Sequence, residues 1–160
     1  MKLYHGSIHR IRKPNISRCK PNTDFGKGFY TTTSYEQALK WAKIIQRRQK
    51  VDKAYISVYE VSDTILEKAY KIKEFEEPSK EWLDFVVANR NGKITPEFDI
   101  TKGPVADDTV YVVLPLYESG AISAEAAISE LKPEKLFDQF SFHSTNAVRE
   151  LQFVQSIEIK

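Results

Sequence analysis

The chain has 160 residues and a formal net charge of +2, and 41% of its residues are hydrophobic, 12% aromatic and 29% charged. This length and composition suit a single domain over 1–160, and they exclude collagen, coiled coils and wholesale disorder. The longest apolar stretch, 110–117, contains a proline and is far shorter than the ~20 residues that cross a bilayer, so we expect no membrane association. The lone Cys19 cannot form an internal disulfide and no apolar run follows the first charges, so we expect a cytoplasmic protein without a secretory signal.

Positive charge is concentrated in the first third of the chain. Residues 1–53 contain 13 Lys and Arg against 3 Asp and Glu, whereas the remaining 107 residues contain 11 against 19. This basic segment favours an anionic ligand, either a nucleotide or a nucleic acid. The alternative is that the predicted basic helix in this segment, KWAKIIQRRQK, only presents a solvated charged face.

The pattern of residues 1–61 predicts two strands and a helix. A short strand at 2–7 is followed by a loop rich in turn residues, which leads into the segment DFGKGFYTTT. Ser34 and Gln37 form a capping box, and apolar residues at helical spacing predict a helix over about 35–49. Those apolar residues are Ala38, Trp41, Ala42 and Ile45. The β-branched and aromatic content of 54–61 predicts the second strand.

The middle of the chain predicts a weaker strand at 70–75, a helix and an extended segment at 99–106. Ser79 caps the helix, Gly92 is placed to end it, and its apolar face consists of Trp82, Phe85 and Val86.

The stretch 110–116 has an ambiguous pattern. Its β-branched run favours a strand, whereas Asp107 and Asp108 in front of it could cap a helix, and we favour the helix. Ser123 caps a clearer helix, AEAAISEL, which stops before a proline.

Two further strands are predicted near the end of the chain, at 136–144 and 153–159. In the first of them Phe140 and Phe142 alternate with Gln139, so the aromatic side chains share one face. Strands scattered among segregated helices, without regular βαβ alternation, indicate an α+β fold with a mostly antiparallel sheet.

Several familiar motifs are present only in part, and each lacks residues that its function requires. The Gly26-Lys27-Gly28 segment lacks the third glycine and the strand-turn-helix context of a dinucleotide fingerprint. His5 and His9 lack the glutamate of a zinc-protease helix, and we expect no metal. Nothing local supports a Cys19–His143 nucleophile pair.

Two segments remain as candidates for chemistry. In Leu3-Tyr4-His5-Gly6-Ser7 a histidine ends an apolar strand, and the following glycine lets a ligand approach the backbone. In 24–33 two glycines bracket a lysine and precede the Phe29-Tyr30 pair, a composition that suits a flat heteroaromatic ring. A hydrogen-bonded structural role is the alternative for His5 alone.

These motifs, HGS and GKGFYTT followed by a helix with an aromatic residue, resemble the ADP-ribosyltransferase superfamily, particularly its poly(ADP-ribose) polymerase and diphtheria-toxin-like branch. The resemblance is closest to an uncharacterised family of small bacterial proteins of that clan, of the kind encoded beside a smaller partner as toxin and antitoxin. It spans nearly the whole chain, including GPVADD and DQFSF. It implies split, mostly antiparallel sheets with peripheral helices and NAD, the co-substrate, in the cleft between the sheets.

The resemblance also implies a role for each motif residue. His5 would bind the adenosine ribose, Gly6 would hold the nicotinamide carboxamide through its backbone, and Ser7 would add a hydroxyl nearby. Tyr30 would stack on one face of the nicotinamide, and Trp41 is either the second aromatic slab or plain core packing. The implied NAD-binding residues are His5, Gly6, Ser7, Gly28, Phe29, Tyr30 and Trp41.

The superfamily usually places a glutamate where this chain has Gln139. An amide can hydrogen-bond the ribose hydroxyl, but it has no charge and cannot act as a base. Asp107, Asp108 and Asp24 are candidates for the missing carboxylate, and helix capping is the competing explanation for the Asp107-Asp108 pair. The implied catalytic residues are His5, Tyr30, Gln139 and Asp107.

The sequence therefore favours a cytosolic mono-ADP-ribosyltransferase that modifies a macromolecule, protein or nucleic acid, as a toxin held in check by a small antitoxin protein. The first alternative is an NAD glycohydrolase, with water as acceptor. The second is a non-catalytic module that binds NAD, ADP-ribose or nucleic acid.

Overall fold

A computed structural model describes residues 1–93, 97–105, 109–131 and 137–160. The predicted carboxylates Asp107 and Asp108 and the predicted strand start at Leu136 lie outside the described residues. The elements in chain order are β1 (Lys2–Ser7), β2 (Phe29–Thr31), α1 (Tyr35–Gln49), β3 (Ala54–Glu60), β4 (Ile72–Glu74), α2 (Lys80–Arg90), β5 (Ile100–Pro104), α3 (Val110–Glu118), α4 (Ala124–Leu131), β6 (Asp138–Phe142), α5 (Thr145–Val148) and β7 (Gln152–Ile159). Among the described helices, none is long and apolar enough to cross a membrane.

The strands form two sheets. One has the order β1-β3-β7 and is antiparallel, and the other has the order β2-β6-β5-β4, in which only the β4–β5 pair is parallel. The sheets meet at one point, where the Tyr4 N–H donates to the Thr32 carbonyl at 2.8 Å and the Thr32 N–H donates back at 3.0 Å. The predicted α+β class with mostly antiparallel sheets is confirmed.

The two faces of the four-stranded sheet pack against different partners. Phe29, Ile100, Phe140 and Phe142 point from one face into an apolar cluster that also contains residues of the three-stranded sheet. The opposite face is covered by α2, α3 and α4, whose apolar side chains form a second cluster with Phe25 and Phe75. Helix α1 covers the other face of the three-stranded sheet, the face that points away from the four-stranded sheet.

The predicted serine caps of two helices are present, but the capping box at α1 is only half formed, because the Ser34 N–H donates to the Thr32 hydroxyl at 3.0 Å and, among the described residues, Oε1 of Gln37 is buried without a partner. The Ser34 hydroxyl accepts a hydrogen bond from the Gln37 N–H, and the Ser79 hydroxyl accepts one from the Trp82 N–H. After α2, Gly92 has a φ of +67°, a left-handed conformation that glycine adopts readily. The expected helix at 110–116 is also confirmed, although its N-cap residue Thr109 makes no side-chain cap bond.

Two short elements were not predictable. The three residues of β2 and the four residues of α5 are too few to show a strand or helix periodicity. The register of β2 comes from its long-range pairing with β6, which places Tyr30 opposite Ser141. Long-range pairing of this kind leaves no local signal in the sequence.

Candidate functional site

Gly6 lies where α1 approaches β1 most closely. A Cβ at this position would lie 2.3 Å from the Ala38 carbonyl oxygen and 2.9 Å from the Ala42 nitrogen. The sequence-based reason for this glycine, close approach by a ligand, is therefore incomplete, because the helix backbone of the protein itself already requires it.

The backbone N–H and C=O groups of Gly6, which we call its peptide edge, nevertheless face the gap between the two sheets. In an antiparallel ladder, alternate residues direct their N–H and C=O groups to the same side. Tyr4 directs these groups to Thr32, away from β3, so Gly6, two residues further along β1, directs its own groups to that side. Next to it, the Ser7 hydroxyl accepts a hydrogen bond from the His9 N–H at 3.1 Å and keeps its own hydrogen to donate.

His5 connects the HGS motif to the GKGFYTT motif beside the junction of the two sheets. Its Nδ1 lies 2.6 Å from the Tyr30 carbonyl oxygen, which can only accept, so Nδ1 carries the proton and Nε2 is left as an acceptor. Burial lowers the pKa of His5, which keeps the ring neutral, while the bond to the Tyr30 carbonyl acts in the opposite direction. The ring stacks on Phe29 with 4.2 Å between centroids.

Phe29 and Tyr30 point to opposite faces of β2, as neighbouring strand residues must. Phe29 is 5% exposed, belongs to the apolar cluster between the sheets and supports the His5 ring, while its predicted contact with NAD stays a prediction. Tyr30 lies on the helix-facing side. The side chains of His5 and Tyr30 thus flank the β2 backbone rather than facing each other.

The loop before β2 fixes the Tyr30 hydroxyl. This hydroxyl accepts from the Phe25 N–H at 2.8 Å and donates to the Gly26 carbonyl at 2.6 Å, and the Thr23 hydroxyl lies 3.0 Å away. Burial, with the charge of Asp24 as a smaller cause, raises the pKa of Tyr30, so the phenol stays protonated. The ring is therefore held as a rigid wall.

The fold itself explains why both glycine positions of the GKG segment require a glycine. Gly26 has a φ of +89°, which permits the turn that receives the Tyr30 hydroxyl. At Gly28 a Cβ would lie 2.6 Å from Nδ1 of His143, so packing against this ring already requires a glycine, and the predicted NAD contact at Gly28 stays a prediction.

Gln139 lies at the start of β6 on the same face as Tyr30. Its Nε2 donates to Asp24 Oδ2 at 3.3 Å and to the Pro104 carbonyl at 3.4 Å. Both acceptors therefore fix the orientation of the amide, and the Oε1 atom remains as an acceptor. Of the three carboxylates proposed from sequence, Asp24 is the one that the described residues place beside Gln139, whereas Asp107 and Asp108 lie outside the described residues.

The negative charge of Asp24 is compensated by Arg90, a residue that the sequence analysis missed. Asp24 is 8% exposed, and its Oδ1 lies 2.5 Å and 2.6 Å from two guanidinium nitrogens of Arg90 at the end of α2. The two residues are 66 positions apart, and no local pattern connects them. The helix-facing side of the sheet therefore holds a linked polar group of Arg90, Asp24 and Gln139, with Tyr30 on the same face.

Trp41 belongs to the predicted apolar stripe of α1 but is 42% exposed. The small residues Ala38 and Ala42 occupy the buried face and bring the helix backbone close to β1, so the larger ring is left outside the core. The Arg48 guanidinium lies 5.9 Å from the ring centroid. This exposure contradicts the core-packing alternative for Trp41, while its role as the second aromatic slab against a bound ring stays a prediction.

His143 has a structural environment rather than the one of a base for Cys19. Its Nδ1 donates to the Lys27 carbonyl at 2.8 Å, and its Nε2 lies 2.7 Å from the Ser141 hydroxyl and 3.0 Å from the Thr101 hydroxyl. Burial lowers the pKa of His143, so the ring is neutral. Across the described ranges, no cluster of three or more His, Cys, Asp or Glu could hold a metal ion.

Comparisons with known proteins give a family but no function. No curated protein and no solved structure matches the chain. One family model, described as "Protein of unknown function (DUF3990)", matches residues 1–153. Because this match covers nearly the whole sequence, the chain belongs to the DUF3990 family.

Proposed function

We propose that the protein is an NAD-dependent mono-ADP-ribosyltransferase that modifies a macromolecule in the cytosol, as a toxin restrained by a small partner protein. The observation that carries the proposal is the 2.6 Å contact between His5 Nδ1 and the Tyr30 carbonyl. It joins the HGS strand to the GKGFYTT strand beside the junction of the two sheets, where an ADP-ribosyltransferase would bind NAD.

The groups around this junction suit the two ends of NAD. Neutral His5 offers Nε2 as an acceptor for a ribose hydroxyl, and the Gly6 peptide edge offers one donor and one acceptor for a carboxamide. Tyr30 offers a rigid aromatic ring whose hydroxyl is already occupied by the loop at 23–26. Oε1 of Gln139 offers an acceptor for a second ribose hydroxyl.

The reaction requires cleavage of the bond between nicotinamide and C1′ of the ribose. Nicotinamide leaves as a neutral molecule with the bonding electron pair, and C1′ takes on oxocarbenium character before the acceptor forms its new bond and loses its proton to water. Stabilisation of that cation falls to polar atoms near C1′. Gln139 supplies a dipole, and the charge of Asp24 is neutralised by Arg90, so we expect slow turnover.

The same observation supports a second candidate, a module that binds NAD or ADP-ribose without chemistry. In that case the neutral Gln139 amide and the Asp24–Arg90 pair only stabilise one end of the site and take no part in a reaction. Hydrolysis of NAD to free ADP-ribose is a third outcome that needs only water as acceptor. The products distinguish these functions.

The experiment is incubation of the purified protein with adenine-labelled NAD and a bacterial lysate, followed by separate treatment with protease and nuclease. We expect label on macromolecules, released by one of the two treatments, and loss of at least 90% of it with His5→Ala. His9→Ala is the matched control, because His9 is an exposed histidine on the same segment. Free ADP-ribose alone would favour the glycohydrolase, NAD binding without nicotinamide release would favour the binding module, and equal labelling by His5→Ala would contradict the proposed site.

A further inference from the structure

A row of exposed basic side chains, which we call the basic row, follows the outer face of α1, opposite the face that packs on β1. Lys40, Lys43 and Arg47 are spaced by three and four residues, so they lie on the same side of the helix. Lys50, the residue that caps the helix, continues the row three residues later. The basic row therefore presents four positive charges over about 15 Å, at 1.5 Å of rise per residue.

Three charges of the basic row lack a counter-charge in the described part of the chain. No carboxylate there forms an ion pair with Lys43, Arg47 or Lys50. Lys53, beyond the row, differs because it is paired with Glu158 at 3.0 Å. Like charges three or four residues apart destabilise a helix, and a bound polyanion would relieve their repulsion. The basic row is therefore suited to an anionic partner.

An exposed aromatic ring lies beside the basic row. Trp41 follows Lys40 directly and is 42% exposed, and the guanidinium of Arg48 lies 5.9 Å from its ring centroid. Proteins that bind single strands stack unpaired bases on aromatic rings and guanidinium planes. The bases of a duplex are already stacked on each other, so this ring favours a single strand over a duplex. A base at Trp41 is the alternative to the nicotinamide predicted at this ring.

The composition of this face favours a nucleic acid over an acidic protein. The centre of a protein interface is apolar, and lysine is depleted there. On α1, by contrast, Trp41 is the only large exposed apolar side chain between positions 36 and 50, and most of the exposed side chains are lysine or arginine. Long basic side chains are the usual partners of phosphates, which supply essentially all of the affinity in binding without sequence preference.

We propose that the outer face of α1 binds a single-stranded nucleic acid, with its phosphates on the basic row and a base on Trp41. Contacts to phosphates carry no sequence information, so the strand is bound whatever its base sequence. The proposal concerns binding alone, and it holds whether or not the protein transfers ADP-ribose.

Binding of fluorescent strands of about 12 nucleotides to the full chain, measured by anisotropy, tests the proposal. For DNA and RNA strands of mixed sequence we expect a dissociation constant of about 1–100 µM near physiological salt. Three neutralised phosphates predict that this constant rises about twentyfold between about 50 and 200 mM salt. A duplex of the same sequence, which offers no unstacked base, is expected to bind at least about fivefold more weakly.

A triple variant tests the phosphate contacts. Lys43→Gln, Arg47→Gln and Lys50→Gln together are expected to weaken binding of the strands at least about tenfold at about 50 mM salt and to remove most of the salt dependence. The matched control removes the same three charges from exposed side chains in the segment before β2, and its affinity is expected to change by less than about threefold, because distant charges are screened. The control changes are Lys13→Gln, Arg18→Gln and Lys20→Gln.

A second variant, Trp41→Ala, separates stacking from charge. It is expected to weaken binding of single strands at least about fivefold and to leave the affinity for the duplex unchanged, so the preference for a single strand is lost. The side chains changed in all three variants are exposed, so each variant is expected to melt at the temperature of the parent.

Four results would each overturn the proposal. Absence of binding at about 100 µM protein and about 50 mM salt would leave the basic row as a solvated charged face. Equal losses in the triple variant and its control would place the strand elsewhere, and an unchanged preference for a single strand in Trp41→Ala would exclude stacking on this ring. Polyglutamate that competes as well as an unlabelled strand would assign the face to an acidic protein. None of these assays contains NAD, so their outcome is separate from that of the labelling experiment above.

Discussion

The two faces of the four-stranded sheet differ sharply in the chemistry that they bury. The face toward the other sheet is apolar, with side chains such as Phe140 and Phe142 exposed by 2% and 0%. The face toward the helices buries Ser141 and Thr101 completely and carries Tyr30, Gln139 and His143 beside them. The same strand, β6, supplies both sets by simple alternation.

This difference separates residues that hold the fold from residues that are available for chemistry. A buried polar group is costly unless it is hydrogen-bonded, and an apolar side chain at the same place would avoid the cost. The helix-facing side keeps its polar groups and satisfies them through linked contacts such as His143 with Ser141 and Gln139 with Asp24. We therefore expect the apolar face to govern stability, and the polar face to govern both stability and function.

The largest effect is expected from the apolar face. Phe142→Ala removes a completely buried ring and leaves a cavity, and this is expected to lower the free energy of unfolding by about 3–5 kcal/mol. Denaturant unfolding measures it. Phe142→Leu, the matched control, is expected to lose less than half as much, and equal losses in the two variants would contradict a cavity as the cause.

A smaller effect is expected from the charge pair on the polar face. Asp24→Asn removes the buried carboxylate that lies 2.5 Å from the Arg90 guanidinium, and we expect a loss of about 2–3 kcal/mol in the free energy of unfolding. Because the same change removes the charged acceptor of Gln139, label transfer from NAD is expected to fall beyond the loss of folded protein. The double variant Asp24→Asn with Arg90→Gln should recover part of the stability, and an additive loss would contradict coupling of the pair.

We expect the pH dependence of the free energy of unfolding to reveal that the histidine on the polar face is neutral in the folded protein. Burial lowers the pKa of His143 below its ordinary value of 6.5, so the unfolded chain binds the proton more readily than the folded protein. Its contribution is fully present above pH 6.5 and is lost as the pH falls toward the folded pKa, by at most about 1.4 kcal/mol per pH unit.

His143→Gln is expected to reduce the loss of stability between pH 7.5 and pH 5.5, measured by denaturant unfolding at both values. The exposed His9→Gln variant serves as the control. An unchanged difference between the two pH values in His143→Gln would show that the folded protein accommodates a charged ring at this position.

A further effect on the polar face is expected for the hydroxyl that holds the Tyr30 ring. Tyr30→Phe leaves the Phe25 N–H and the Gly26 carbonyl without this partner, which is expected to cost about 1–2 kcal/mol of stability. Thermal and denaturant unfolding measure the change. A variant as stable as the parent would mean that water replaces the hydroxyl at no cost, and that the loop at 23–26 does not fix the ring.

The sequence predicted the elements whose signals are local. Helix α1, its Ser34 cap and the alternation around Gln139 follow from spacing within a few residues, and the structure confirms them. The contacts of the candidate site depend instead on long-range packing. Nothing near Asp24 in the chain indicates that Arg90 would neutralise it.

Glycine and aromatic residues were the least predictable from sequence. The HGS and GKG glycines suggested ligand contact, yet Gly6 accommodates α1 and Gly28 accommodates His143. Phe29 and Trp41 were both assigned to the nucleotide, but one is buried between the sheets and the other is exposed on α1. A glycine or aromatic residue shows that something packs closely, while only the fold shows what it is.

The central claim is that the junction between the HGS and GKGFYTT strands binds NAD. A crystal structure of the protein with NAD tests it most directly. We expect the nicotinamide carboxamide within about 3 Å of the Gly6 N–H and C=O groups, with its ring against Tyr30 and a ribose hydroxyl on His5 Nε2. NAD bound away from the Gly6 peptide edge, or without contact to both His5 and Tyr30, would contradict the account.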